Sequence, residues 1–209
     1  MFKRMTPALC LAGLMALAAC SSDDKDDASR AGKNLTREPG LQGYWASSCD
    51  KLELLSSSGK AFYAFAPATY SKKVAVYSDT NCATQTSQIV YSGDFKIGND
   101  DDLEGVDRVD FVPTKATVKA LTEAGVNALN AVNLCGIKDW ALNAERDVSV
   151  AAKNGCLTEK VGVAQYDVYH LEDKKLQFGS AYVLGAPTDV KNRSAELNQR
   201  VFQPTEKWE

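Results

Sequence analysis

The stretch Gly43-Tyr44-Trp45-Ala46-Ser47-Ser48-Cys49 decides how the rest of the chain reads. It is echoed about thirty residues later by Val76-Tyr77-Ser78-Asp79-Thr80-Asn81-Cys82. Each couples aromatic or β-branched side chains, which suit a pleated and half-buried surface, to a cysteine. Between them run short aromatic-rich segments, residues 60–66 (KAFYAFA) and, after a turn at Pro67, residues 69–77. Period-two alternation marks these as strands, so the chain opens as an antiparallel β-domain fastened early by a disulfide.

Downstream, residues 87–97 form the next expected strand, with Gly93 inside the pattern as a bulge or bend. Val109 and Phe111 then alternate onto one face. At Pro113-Thr114 the period changes: Val118, Leu121, Gly125, Ala128, Leu129 and Val132 recur at three- and four-residue intervals. That pattern predicts an amphipathic helix over about 114–132, with Thr114 or Thr117 as N-cap. A short strand is expected at 139–142. The strongest hairpin signal follows: residues 161–171, a turn at Glu172-Asp173-Lys174, and Leu176/Phe178/Ser180/Tyr182 alternating beyond it. Residues 193–202 read as a short helix or as a return of the chain over the sheet. The fold class is therefore mainly β, an antiparallel barrel with one long helix.

Upstream of Gly43 the composition changes. Lys3 and Arg4 precede ten apolar residues, 8–17, too few to span a bilayer and right for a signal-peptide core. Leu17-Ala18-Ala19-Cys20 resembles a bacterial lipobox, in which Cys20 is acylated and becomes the new N-terminus; an ordinary secretory signal is the alternative. Residues 1–19 are then the signal, and 20–39, with almost nothing apolar, a lipidated flexible tether. Residues 40–204 form one domain and 205–209 a C-terminal tail. Acyl chains on Cys20 anchor the protein to a membrane, and Ser21 after the cysteine implies outer-membrane delivery, facing the periplasm or the cell surface. The acidic run Asp23-Asp24-Lys25-Asp26-Asp27 reads as a solvated tether or as a surface-display signal.

Removing the signal takes away two basic residues, leaving 22 against 27 acidic ones, a balance of −5. A nucleic-acid partner, which needs a basic patch, is not expected. Cys10 leaves with the signal and Cys20 takes lipid, so Cys49, Cys82, Cys135 and Cys156 remain for two bridges. Three connectivities are open, and the sequential pairing, Cys49–Cys82 with Cys135–Cys156, is preferred. Zinc is the rival for these cysteines, but no pair has C-x₂₋₄-C spacing and the chain holds one histidine, His170.

Catalytic chemistry is not legible. A serine triad would have to use His170, and no G-x-S-x-G elbow is present. No enzymatic activity, cofactor or metal is expected. Asp100-x-Asp102-x-Glu104-Gly105 copies the first half of a calcium loop, but Phe111 stands at the twelfth position, where a bidentate glutamate belongs. A solvated hairpin loop is the better reading.

Taken together, Gly43-x-Trp45-x₃-Cys49, the aromatic strand after it, Tyr77-x-Asp79-x₂-Cys82 and Gly93 resemble the lipocalin-like domain of the adenomatosis-polyposis-coli-down-regulated family. Leu134-Cys135 with Trp140, Arg146-Asp147-Val148 before Cys156, Leu176-x-Phe178-Gly179 and Arg193 extend the resemblance over roughly residues 41–204. It implies a half-open, lipocalin-like β-barrel with an apolar pocket for acyl chains. The signalling role of the animal members does not transfer to a single-domain lipoprotein. The acidic loop after Ile97 and the asparagines Asn127, Asn130 and Asn133 in the helix depart from the pattern and point to a smaller or wetter cavity.

The resulting expectation is a lipid-anchored extracytoplasmic protein that binds a lipid or other small hydrophobic molecule. Trp45, Phe111, Tyr166, Phe178 and Tyr182 are the expected lining, from alternation and aromaticity. The alternative is a filled barrel that serves as a structural or interaction module and meets another envelope protein or the cell wall.

Overall fold

The computed structural model describes residues 39–52, 57–99, 105–180 and 186–208. Its strands are β1 (Gly43–Ser47), β2 (Asp50–Leu52), β3 (Ser57–Phe65), β4 (Thr69–Tyr77), β5 (Gln85–Asn99), β6 (Asp107–Ala120), β7 (Glu145–Asp147), β8 (Gln165–Glu172), β9 (Lys175–Phe178) and β10 (Val201–Thr205). Helices α1 (Glu123–Ala131) and α2 (Ser149–Lys153) lie between β6 and β8. All strand pairs are antiparallel, in the circular order β1-β10-β9-β8-β6-β5-β4-β3. The ring closes because β1 uses both edges: Trp45 stands opposite Pro204 on one side and Tyr63 on the other. The molecule is thus a closed eight-stranded barrel, where the sequence predicts a half-open one. Closure removes the strand edges that an open sheet would expose.

The two longest strands turn the barrel through one bulge. Ser92 pairs with Lys115 and Gly93 with Pro113, so Thr114 is an extra residue on β6. Position 93 must be glycine, since a Cβ there would lie 2.0 Å from the Val112 carbonyl oxygen. The extra residue reverses the alternation. Val109 and Phe111 point inward before it, and Ala116, Val118 and Ala120 after it. This corrects the helix expected over 114–132: residues 114–120 complete β6, and only Glu123–Ala131 is helical. The N-cap is Thr122, whose hydroxyl accepts from Gly125 N at 3.1 Å, rather than Thr114 or Thr117.

Two further segments differ from expectation. Residues 139–142 make only an isolated bridge, Leu142 to Ala120, and the short strand is β7 instead. The final element is neither a helix nor a simple return, for β10 is the strand that closes the ring. The β8–β9 hairpin forms where expected but is shorter, since residues 161–164 are a turn and β9 ends at Phe178; Asp173 and Lys174 are both at positive φ between Glu172 and its partner Lys175. That is the two-residue turn whose twist matches the flanking strands.

The disulfides are Cys49–Cys82 and Cys135–Cys156, the sequential pairing. Closing loops of this length stabilises by about 3 kcal/mol each on the chain-entropy account. Asp79 shapes the first loop by accepting from the backbone N–H groups of Asn81, Ala83 and Thr84. Those bonds hold its carboxyl below the usual carboxylate range. Ser58, fully buried, donates to the Asp79 carbonyl at 2.6 Å and accepts from Cys82 N.

Candidate functional site

The barrel interior is the place where the expected lining residues converge. One half of it is aromatic. Tyr63 and Phe65, two apart on β3 and so on one face, stack at 5.5 Å with an interplanar angle of 2°. Phe111 reaches Tyr70 at 4.7 Å, Phe178 at 5.9 Å and Phe65 at 6.3 Å. Phe178 lies 4.9 Å from Tyr63 and 5.6 Å from Phe202. Trp45 joins the same cluster and donates its indole N–H to the Leu41 carbonyl at 2.8 Å. Each well-oriented ring pair adds about 0.5–1.5 kcal/mol beyond the area it buries.

Three of the five expected lining residues, Trp45, Phe111 and Phe178, are therefore together inside the barrel, the two phenylalanines in contact with other rings. Tyr166 is not among them. On β8 the inward set is Gln165, Asp167, Tyr169 and Leu171, so Tyr166 faces out, half-buried beneath the Arg193 guanidinium 5.3 Å from its ring. Arg193 also donates to the carbonyl of Asp167 at 2.6 Å and to the Asp110 carboxylate at 2.5 Å, which clamps the 186–198 segment over β6 and β8. Tyr182, Cys20 and the acidic residues Asp100 to Glu104 lie outside the described residues.

The other half of the interior has small strand residues, Ala116 and Ala120, and a covering segment fills the space. Trp140, Val148, Ala152, Leu157 and Val161 pack onto Tyr91 and Val118. Asn130 fixes Trp140 by accepting from its backbone N–H at 2.9 Å and donating to its carbonyl. The Cys135–Cys156 bridge staples this cap from within. Gly125 lets α1 lie directly on β5, where a Cβ would come 2.1 Å from the Thr86 carbonyl oxygen.

Between the two halves runs a polar layer that the sequence reading missed. Lys72 sits in one cross-strand row with Trp45, Tyr63, Tyr91 and Ala116, and its ammonium forms an ion pair with Glu159 from the cap. Both side chains are about 5% exposed or less. Burial, reinforced by the Glu159 charge, pushes the hydroxyls of Tyr63 and Tyr70 well above the ordinary tyrosine range. Asp167 is 4% exposed, and burial lifts its carboxyl to about 6 even though it accepts from Val168 N and Ser180 N. Tyr70 Oη and Gln165 Nε2 are buried with no hydrogen-bond partner among the described residues. An unmet polar group costs about 1–3 kcal/mol, so this layer gives up some of the fold's stability as unmet hydrogen-bonding capacity. Lys72 was visible in principle, because it shares the alternating set of Tyr70 and Val74; nothing local marks Glu159.

His170 lies on the outer surface, bonded through Nδ1 to the Gly105 carbonyl and 3.5 Å from Glu172 through Nε2. These contacts tie the end of β8 to the segment before β6 at Gly105. Among the described residues no cluster of His, Cys, Asp and Glu is arranged to hold a metal ion, and no helix is long and apolar enough to cross a membrane. In comparisons with known proteins, the chain matches no family model and no curated relative.

Proposed function

We propose that this chain is a lipid-anchored protein of the cell envelope whose barrel is a packed interaction module that works through its outer surface. The observation that carries this reading is the ring network across the barrel, from Phe202 through Phe178 and Phe111 to Tyr70. Rings in mutual contact occupy the volume that an acyl chain would need. The N-terminal sequence through Cys20 supports the anchor, and two disulfides suit an oxidising compartment outside the cytoplasm. A photo-reactive residue at an outward position such as Lys60 or Ser71, introduced into the anchored protein in cells, is expected to cross-link a discrete envelope component. A residue facing inward is expected not to. Labelling with an alkyne fatty acid, lost in Cys20→Ala, checks the anchor.

A second reading has its own support, since Trp45, Phe111 and Phe178 belong to one buried apolar cluster inside the barrel, where a hydrophobic ligand would lie. The resemblance to the lipocalin-like family favours it too. It requires the Phe111 and Phe178 rings to swing aside on binding. Ligand affinity unchanged in a still-folded Phe178→Ser variant would remove it.

A further inference from the structure

On the outside of the barrel, β1, β10 and the turn before β10 enclose a groove of about 660 Å³. This is within the size range of small-molecule sites. Its wall carries Ser48, Asp50, Asn198, Gln199, Arg200 and Gln203. We propose that this groove binds a neutral carbohydrate. The inference rests on the interaction reading above and names the chemistry of what the outer surface meets.

Four observations carry it. The two charged residues cancel, because Arg200 Nε donates to Asp50 Oδ2 at 2.5 Å. The remaining polar lining is amide and hydroxyl, groups that donate and accept alike and so match adjacent sugar hydroxyls. The wall is held before any ligand arrives. Asn198 Oδ1 accepts from Arg200 N, its backbone N–H donates to the Phe178 carbonyl, and its own carbonyl accepts from Gln177 Nε2. Cys49, between the lining residues Ser48 and Asp50, is fixed by its bridge to Cys82. Ordering costs on binding are correspondingly small.

An apolar platform borders the groove. Tyr44 is two residues before Ala46 on the same face of β1, is 43% exposed, and lies 6.4 Å from the Trp208 ring. A pyranose presents a C–H face that such a ring can cover. An extended peptide is the poorer fit, since β1 is hydrogen-bonded on both edges by β10 and β3 and offers no free ladder.

The test is calorimetric titration of the full anchored chain in detergent micelles with chitotriose, cellotriose and, as comparator, trialanine. At least one trisaccharide is expected to saturate at one per chain, while trialanine does not. Ser48→Trp, which fills the groove from an exposed position, is expected to weaken that binding roughly tenfold or more. Tyr44→Ala is expected to weaken it several-fold, with the thermal melt unchanged in both variants. Failure of both sugars to bind, binding that Ser48→Trp leaves intact, or tighter binding of trialanine would each overturn the proposal. A partner still captured by outward cross-linking would then leave the interaction reading standing without the sugar.

Discussion

The two halves of the barrel interior solve the same packing problem differently. In the aromatic half, strand residues fill most of the space, with Leu41 from the turn before β1, because Tyr63, Phe65, Tyr70, Phe111, Phe178 and Phe202 are large enough to touch across it. In the other half the inward residues after the bulge are Ala116, Val118 and Ala120, and the cap from 121 to 163 supplies the missing bulk. The price of that arrangement is a buried ion pair, Lys72–Glu159, at the seam. The contrast shows how one extra residue, Thr114, divides a barrel into a half that packs itself and a half that depends on a separately braced segment.

The largest effect should come from the seam. Lys72→Met alone leaves the Glu159 carboxylate buried without its counter-charge and is expected to cost about 3–5 kcal/mol in denaturant unfolding. The double variant Lys72→Met/Glu159→Leu should recover most of that loss, because neither charge then has to be buried. A double variant as unstable as the single would show that the pair holds the cap by specific geometry.

Removing the bridge, as Cys135→Ala/Cys156→Ala, should cost about 3 kcal/mol. Hydrogen exchange is expected to speed up in residues 133–161 while β3 and β4 keep their protection. Equal loss in both places would mean that the two halves unfold as one.

Asp167 adds a pH test. Burial raises its folded-state value to about 6, from an ordinary 3.8. The folded state therefore binds more protons between those values, and stability falls as pH rises from about 4 to 6, staying low above it. Asp167→Asn should stabilise the protein at pH 7 by about 1–3 kcal/mol and flatten this slope. The smallest effect is expected at the edge of the cap, where Thr122→Ala removes the N-cap of α1 and costs about 1 kcal/mol.

Much of the strand framework was legible because alternation is a local signal. The aromatic strands, the bulge at Gly93 and the β8–β9 turn could each be read within a dozen residues. The end of β6 could not. Its bulge shifts the inward set by one, and Val118 then falls into step with Leu121, Gly125 and Leu129 of the following turn and helix, which mimics one long helical face. The closing strand β10 shows only Phe202 buried in a short polar run, too little for a period. Of the site, Trp45, Phe111 and Phe178 were readable from their alternation. Alternation and aromaticity do not place Tyr166, because both faces of β8 carry apolar side chains and Val168 on the outer face is fully buried, against Gly179 beside Ser194. The Lys72–Glu159 contact spans 87 residues and has no local trace.

The central claim is that the interior is filled. Native mass spectrometry of residues 28–209, exported to the periplasm behind a secretory signal and purified without detergent, tests it most directly. A clean apo mass, four hydrogens light for the two disulfides, is expected. A discrete added mass, released on denaturation and identified as a fatty acid or phospholipid, would contradict it and establish the barrel as a carrier.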